Sequence, residues 1–527
     1  MPKKTLTEAD EYVQHQVEGQ GKDYKTEARQ YLDFSIFNNS LASLKKDRYT
    51  AIGHMVMEKS VTAIQAYVQQ GALTYEELTL FYLNRIRAYD DQKLNAVMQL
   101  NPDAILIARK QDEQRTQGHL LGPLQGIPIM IKGNIGTGDT MYNTAGAKVL
   151  ATTACDRDSF LVKKLRAAGA VILGKANMSE WANYMSEVSL NGFSTLGGQT
   201  HNPYGNYDVG GSSSGSAVAV ACNFATLAIG TETTGSIISP ASQNNVVGIK
   251  PTVGLWSRDR IIPIAYDLDT AGPITRTVED AALLLGELAG EDERDAFTKV
   301  GTSLIKDYTS FLKEDGLQGM RIGVVTNDVI TDYYRTGEQN IIHRVMKELE
   351  ALGAIVIEVT LDDQALHLER LDVLTYEFKE GVEQYLKDIG DNASIRTMKD
   401  ITDFNQKDML NRARFGQELI VRSRDTTIKE HEHLECVAKN VRLASTAIDQ
   451  SLEDHDLDLL MSLYVNLSGI YAPARYPAIT VPAGYREDGE PVGLCLVSSK
   501  FREDSLIKAA YAYEQGTKYR QEPHMDI

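Results

Sequence analysis

Residues 159–173, SFLVKKLRAAGAVIL, change their period partway along. Phe160, Leu161, Val162 and Leu165 share one face of a helix. Gly169 supplies the left-handed residue that closes it, and AVIL (170–173) continues as an apolar strand. The same order returns at residues 339–352, Gly353 and AIVI (354–357). A helix closed by glycine and followed at once by a β-branched run predicts a layered α/β fold.

Around these units, residues 75–89 read as a helix, and strand signals return late, at PAITVPAG (477–484) and at 492–497. Residues 290–317 and 361–456 are polar or charged and lack strong strand signals, so they read as additions to a core. The first sixty residues read as a polar helical arm, with 41–52 leading into a helix around 63–67. A length of 527 residues suggests three domains. No repeat or low-complexity linker separates them, so one interrupted α/β domain fits better.

Composition narrows the function classes. Lys+Arg number 54 against 72 Asp+Glu, a formal net charge of -18, which argues against a non-specific grip on nucleic acid or an anionic membrane. Cys155, Cys222, Cys436 and Cys495 lack CxxC spacing and read as reduced intracellular thiols. Residues 1–24 hold no apolar signal core, and the longest apolar window (217–230) is interrupted by Asn223 and Thr226. The expected location is the cytoplasm.

Three segments could carry chemistry. In GIPIMIKGNIG (126–136), Ile127, Ile129 and Ile131 alternate with Pro128, Met130 and Lys132, a strand apolar on both faces. Burying an unpartnered ammonium is costly, and desolvation lowers a lysine pKa from about 10.4, which would make Lys132 a neutral base. The plainer outcome is that Lys132 snorkels into water at the strand end. In VGGSSSGSA (209–217) the glycines permit unusual backbone, and a helix over the small residues of 217–228 would aim its dipole at the loop. The plainer outcome is a flexible loop; no Gly-Lys-Ser/Thr follows, so it is not a Walker cradle. In GTETTGSIISP (230–240), Ser236 follows Thr233, Thr234 and Gly235 in a compact turn able to point several N–H groups at one spot, as an oxyanion hole requires. A plain polar turn is the alternative.

None of the ten histidines falls in these segments; the fold could still bring one close, but Lys132 is the local candidate base. His431 and His433, with Cys436 nearby, lie two apart on a charged helix and share no face; a solvated surface is expected rather than a metal cluster.

In this order the three segments resemble the amidase signature family. GIPIMIK (126–132) is similar to its catalytic-lysine strand, GGSSSGSA (210–217) to its Gly/Ser signature, and GTETTGSI (230–237) to its nucleophile turn. AAGAVILGKANMSEW (167–181), VVGIKPTVGLWSR (246–258), AGPITRTVEDAALLL (271–285) and YPAITVPAGY (476–485) agree. The resemblance runs from about residue 72 to 523. It implies a mixed twisted central sheet covered by helices on both faces, with a helical arm over 1–71, a catalytic domain over 72–523 and a helical insertion at about 361–456. It implies a Ser-cis-Ser-Lys triad: Ser236 as nucleophile, Ser212 bridging on a cis peptide, Lys132 as base. Thr233, Thr234 and Gly235, with Ser236, would hold the oxyanion. The expected reaction is hydrolysis of a carboxamide C–N bond through a Ser236 acyl-enzyme, with no cofactor and no metal. Gly133, Thr234 and Ile238 stand where the family often has aspartate, glycine and arginine, which bears on pocket polarity. Glu232, LTYEFKEGVEQYL (374–386) and FGQEL (415–419) most resemble the peptide-amidase-like branch. In those segments Tyr376, Phe378 and Phe415 either line the pocket or serve in helix packing.

Rivals predict different residues. Gly211–Gly215 also satisfies G-x-S-x-G, so an α/β-hydrolase-type esterase would use Ser213. An amidotransferase component that supplies ammonia to a partner enzyme, or a carbamate or ester hydrolase, would keep the same triad. The expected partner is a small-molecule or peptide amide substrate, with no nucleic acid and no membrane; a homo-oligomer is left open.

Overall fold

A computed structural model describes residues 31–300, 306–332, 335 and 337–525. Among these, eleven strands form one sheet: β1 Val97–Leu100, β2 Pro128–Lys132, β3 Val171–Ala176, β4 Leu227–Glu232, β5 Val247–Lys250, β6 Thr270–Thr275, β7 Arg321–Val325, β8 Ile355–Val359, β9 Leu459–Leu463, β10 Ala478–Tyr485 and β11 Pro491–Val497. Their order is β1-β3-β2-β4-β6-β5-β10-β11-β9-β7-β8. The sheet is mixed. β2 runs parallel to β3 and β4, and β7 to β8 and β9; the remaining pairs are antiparallel.

Alternation along a strand sends successive side chains to opposite faces, and here each face has its own core. Leu494 and Leu496 of β11 join one hydrophobic cluster, together with helices Phe160–Ala167, Ser214–Ala221, Val278–Leu288 and Glu503–Thr517. Cys495 and Val497 join another, with Ala444 and Ile448 of helix Glu430–Asp454. Helices therefore cover both faces, as expected.

The two helix-glycine-strand units fold as read. Helix Phe160–Ala167 ends before Gly169 at φ +75° and leads into β3; helix Glu338–Ala351 ends before Gly353 at φ +97° and leads into β8. Between residues 361 and 456 the described chain holds helices and no strand, including Arg370–Asp388 and Glu430–Asp454. These enclose a third cluster with Trp181, Ile262, Phe378 and Tyr385. Of the N-terminal arm, residues 1–30 lie outside the described residues. Helices Asn38–Ser43, Lys46–Val56 and Val61–Gln69 bring Leu41, Ile52 and Ile64 into the main core.

One element differs from expectation. The small-residue run 217–228 is not one helix: Ser214–Ala221 is helical, Asn223 takes φ +55°, and β4 begins at Leu227. Its strand half is fixed by pairing with β2 and β6 rather than by local propensity. Among the described residues, no helix is long and apolar enough to cross a membrane.

Candidate active site

β2 lies between β3 and β4, and all five of its residues are buried. Its last residue, Lys132, is fully buried and does not reach water. Nζ lies 2.7 Å from Ser212 Oγ and 2.8 Å from Ser213 Oγ, and donates to the Thr231 carbonyl at 3.0 Å. Burial pushes the ammonium down to about 7, against the opposing pull of the Asp269 and Glu232 carboxylates.

The Gly/Ser segment is a fixed structure, not a flexible loop. The Gly211–Ser212 peptide is cis. Gly210 has φ +68°, and a Cβ there would fall 2.6 Å from the Pro240 backbone; one on Gly211 would fall 2.5 Å from Asn191 Oδ1. Only glycine fits this approach. Asp208 Oδ1 accepts the Gly210 N–H at 2.8 Å, and the Ser212 carbonyl accepts the Ser179 N–H at 3.1 Å. Ser213 N–H donates to the Ser236 carbonyl at 3.1 Å, tying this loop to the third segment.

Ser213 is saturated. Its Oγ donates to the Thr231 carbonyl at 3.0 Å and accepts from Thr231 N–H at 3.2 Å as well as from Lys132.

The turn that carries Ser236 is wrapped around a buried carboxylate. Glu232 Oε1 accepts the Gly235 N–H at 2.8 Å and the Tyr471 hydroxyl at 2.8 Å; Oε2 accepts Ile237 N–H at 2.6 Å and Ile238 N–H at 3.0 Å. Gly235 sits at φ +79°, where a Cβ would fall 2.4 Å from Val465. Thr233 Oγ1 donates to Asp269 Oδ1 at 2.5 Å, and Asp269 Oδ2 accepts the N–H groups of Ile264 and Ala265 at 2.9 and 3.1 Å. In the sequence Glu232 stands only as a subgroup marker, and nothing singles out Asp269. An acid placed to meet N–H groups three to six residues later is the available signal for Glu232.

Two depressions flank the turn. One of about 610 Å³ is lined by Asn134, Thr231, Thr233, Asp269, Glu377 and His433 among others. The other, of about 560 Å³, is lined by Thr234, Leu368, Arg370, Leu371 and Leu374 among others. Thr233 and Thr234, adjacent in the chain, therefore face different cavities.

The aromatic residues of the 361–456 stretch divide. Phe378 is buried against Trp181 and Tyr184, and Phe415 against Phe193, which is helix and loop packing. Tyr376 stacks on His433 at 4.4 Å. His433 corrects the expectation of a solvated surface: it is buried, with Nε2 3.1 Å from Glu377 Oε1. Glu377 Oε2 in turn accepts the Asp267 N–H at 3.0 Å, and Arg475 pairs with Asp267. A second helix packing over that face covers it, which spacing along one helix does not report.

A family model described as Amidase matches residues 77–507, most of the chain. The chain belongs to the amidase signature family. The amidase is 36% identical over 481 residues to a probable amidase of Arabidopsis thaliana, covering 89% of this chain and 92% of the relative. It is 34% identical over 483 residues to a glutamyl-tRNA(Gln) amidotransferase subunit of Thermosynechococcus vestitus, covering 85% and 95%. Among solved structures, an amidase family protein from Bacillus anthracis superposes with TM-score 0.89 at 39% identity, covering 93% of this chain and 97% of that one. The peptide amidase of Stenotrophomonas maltophilia superposes with TM-score 0.83 at 42% identity, covering 89% and 99%. The amidase is a hydrolase acting on amides.

Proposed function

We propose that the enzyme hydrolyses a carboxamide C–N bond through a Ser236 acyl-enzyme, with Ser212 and Lys132 as its proton relay. The observation that carries this is the hydrogen-bond account at Lys132. A neutral amine has two N–H donors and one lone pair. Ser213 Oγ and the Thr231 carbonyl take the two donors. The lone pair is then left for the hydroxyl hydrogen of Ser212, at 2.7 Å. Lys132 takes the Ser212 proton, Ser212 takes that of Ser236, and Ser236 Oγ attacks the amide carbonyl carbon. The Gly235 N–H is engaged by Glu232, so the donors for the oxyanion are those of Thr233, Thr234 and Ser236, and Gly235 serves by its left-handed conformation. The proton returns through Ser212 to the departing nitrogen, which leaves as ammonia or amine. Water then attacks the ester carbon and gives its proton to the same relay; the C–Oγ bond breaks, the relay returns the proton to Ser236 Oγ, and the carboxylic acid is released.

The likeness to peptide amidase supports a small-molecule or peptide carboxamide as substrate. One catalytic unit over residues 72–523, with the insertion at about 361–456 forming cavity walls, suits that role. The test is ammonia release from a panel of primary amides, anilides, esters and carbamates, with Ser236→Ala as control. Activity surviving Ser236→Ala would sink the proposal, and exclusive turnover of esters or carbamates would overturn the amide label. The likeness to amidotransferase subunits favours a second reading, supply of ammonia to a partner enzyme. Ammonia release from simple carboxamides by the isolated chain, at a rate no partner increases, would count against it.

A further inference from the structure

We propose that Asp269 is a positioning residue that couples the Ser236 turn to the buried amine: its carboxylate holds Thr233 by hydrogen bond and so places a negative charge two residues along the chain from Thr231, whose carbonyl accepts from Lys132. This rests on the proposed role of Lys132 as base. The placement follows from sheet register. β4 and β6 are antiparallel with Glu232 opposite Thr270, so the next pair outward is Thr233 opposite Asp269. The chain leaves the ladder there, and the carboxylate is captured from both sides. Thr233 Oγ1 meets Oδ1 at 2.5 Å, while Ile264 and Ala265 N–H meet Oδ2. Thr233 is thereby locked at the start of the turn, one residue before Thr234 and three before Ser236.

Loss of water around it pushes the Asp269 carboxyl up to about 6, so it still carries its charge near 7, where Lys132 titrates. Glu232 is the other carboxylate acting on Lys132, and its two oxygens are committed to three backbone N–H groups and Tyr471. Arg258, the cation acting on Asp269, is bound to Asp295 at 2.6 Å. On the same cavity, Asp267 is paired with Arg475, and Glu377 with His433. Asp269 is half-buried on the cavity wall, so its charge acts on a nearby amine with partial screening by solvent. The negative charge favours the ammonium, so removing it favours the neutral base and lets activity persist to lower pH.

The test is the pH profile of kcat/KM for a primary carboxamide in wild type, Asp269→Asn and Thr233→Val. In Asp269→Asn, the amide oxygen can keep the Ile264 and Ala265 N–H groups while the amide nitrogen donates to Thr233 Oγ1, so the turn stays held and the plateau is expected to remain within about tenfold of wild type. Its acid limb is expected to move down by about one pH unit. Thr233→Val keeps the charge, so its plateau falls while the limb stays in place. A role in packing alone lowers the plateau without moving the limb. An Asp269→Asn limb that coincides with wild type overturns the proposal and leaves the triad standing. Absence of any acid limb in wild type, or activity surviving Lys132→Ala, removes the triad reading itself. Should Asp269→Asn not fold, an undiminished plateau or a displaced limb in Thr233→Val overturns the proposal on its own.

Discussion

Lys132 and Lys175 sit on neighbouring strands, one residue out of register, and both are fully buried. Burial lowers both, to about 7 and about 8. Their surroundings differ in kind. Lys175 donates to the Ile135 carbonyl, with Asp139 and Asp158 nearby, and among the described residues it meets no serine hydroxyl. Lys132 faces two hydroxyls, those of Ser212 and Ser213. Desolvation alone makes a weakened cation. A base also needs a hydroxyl within reach, and of the two amines it is Lys132 that meets hydroxyls, those of the Gly210–Ser213 loop.

The comparison can be broken at several points. Ser236→Ala and Lys132→Ala are expected to lower kcat/KM for ammonia release by about 10³-fold or more, on the order of the loss of a nucleophile or its base. Lys175→Met, which keeps the buried volume, is expected to stay within about tenfold of wild type. Equal losses at the two lysines would erase the distinction. Ser212→Ala should approach the Lys132 loss, whereas Ser213→Ala, which removes a saturated supporting hydroxyl, should cost about tenfold. The reverse order would favour the α/β-hydrolase reading. Glu232→Gln turns an acceptor of three N–H groups into one that clashes with some of them, and is expected to lower kcat by about tenfold to a hundredfold with little change in KM.

Smaller effects come from pH. The relay needs neutral Lys132, so kcat/KM should rise with pH through about 7 to a plateau, in wild type and in Lys175→Met alike. A profile flat from about pH 5 to 9 contradicts this. Lys132 also marks stability. Its folded value, about 7, lies below its unfolded one, so between the two the unfolded chain binds a proton the folded chain lacks, and this group's contribution to stability rises with pH. Lys132→Met removes that dependence. Its gain in urea midpoint over wild type should therefore be largest near about pH 6 and shrink toward about pH 10; a constant gain would count against a buried, weakened ammonium.

Much of the architecture is legible where local signals agree. Gly169 and Gly353 each close a helix ahead of a strand, because a left-handed residue is needed there and glycine adopts it at little cost. β9 (Leu459–Leu463) gives no such signal: five buried residues carry no period that separates strand from helix, and pairing with β7 and β11 makes the choice. His433 departs from its expected place for a related reason. Spacing on its own helix says nothing of Glu377 arriving from another.

By itself the sequence marked three contiguous segments as able to carry chemistry, and their resemblance to the amidase signature family made Lys132, Ser212 and Ser236 the triad candidates within them. Only the tertiary structure decided what those residues face. Whether Lys132 meets water or hydroxyls, whether Ser213 is free or saturated, and that Asp269 meets Thr233 and Tyr471 meets Glu232 all depend on groups brought together from segments 18 to 239 positions apart. Such contacts follow from sheet register and helix packing, which no local stretch of chain encodes.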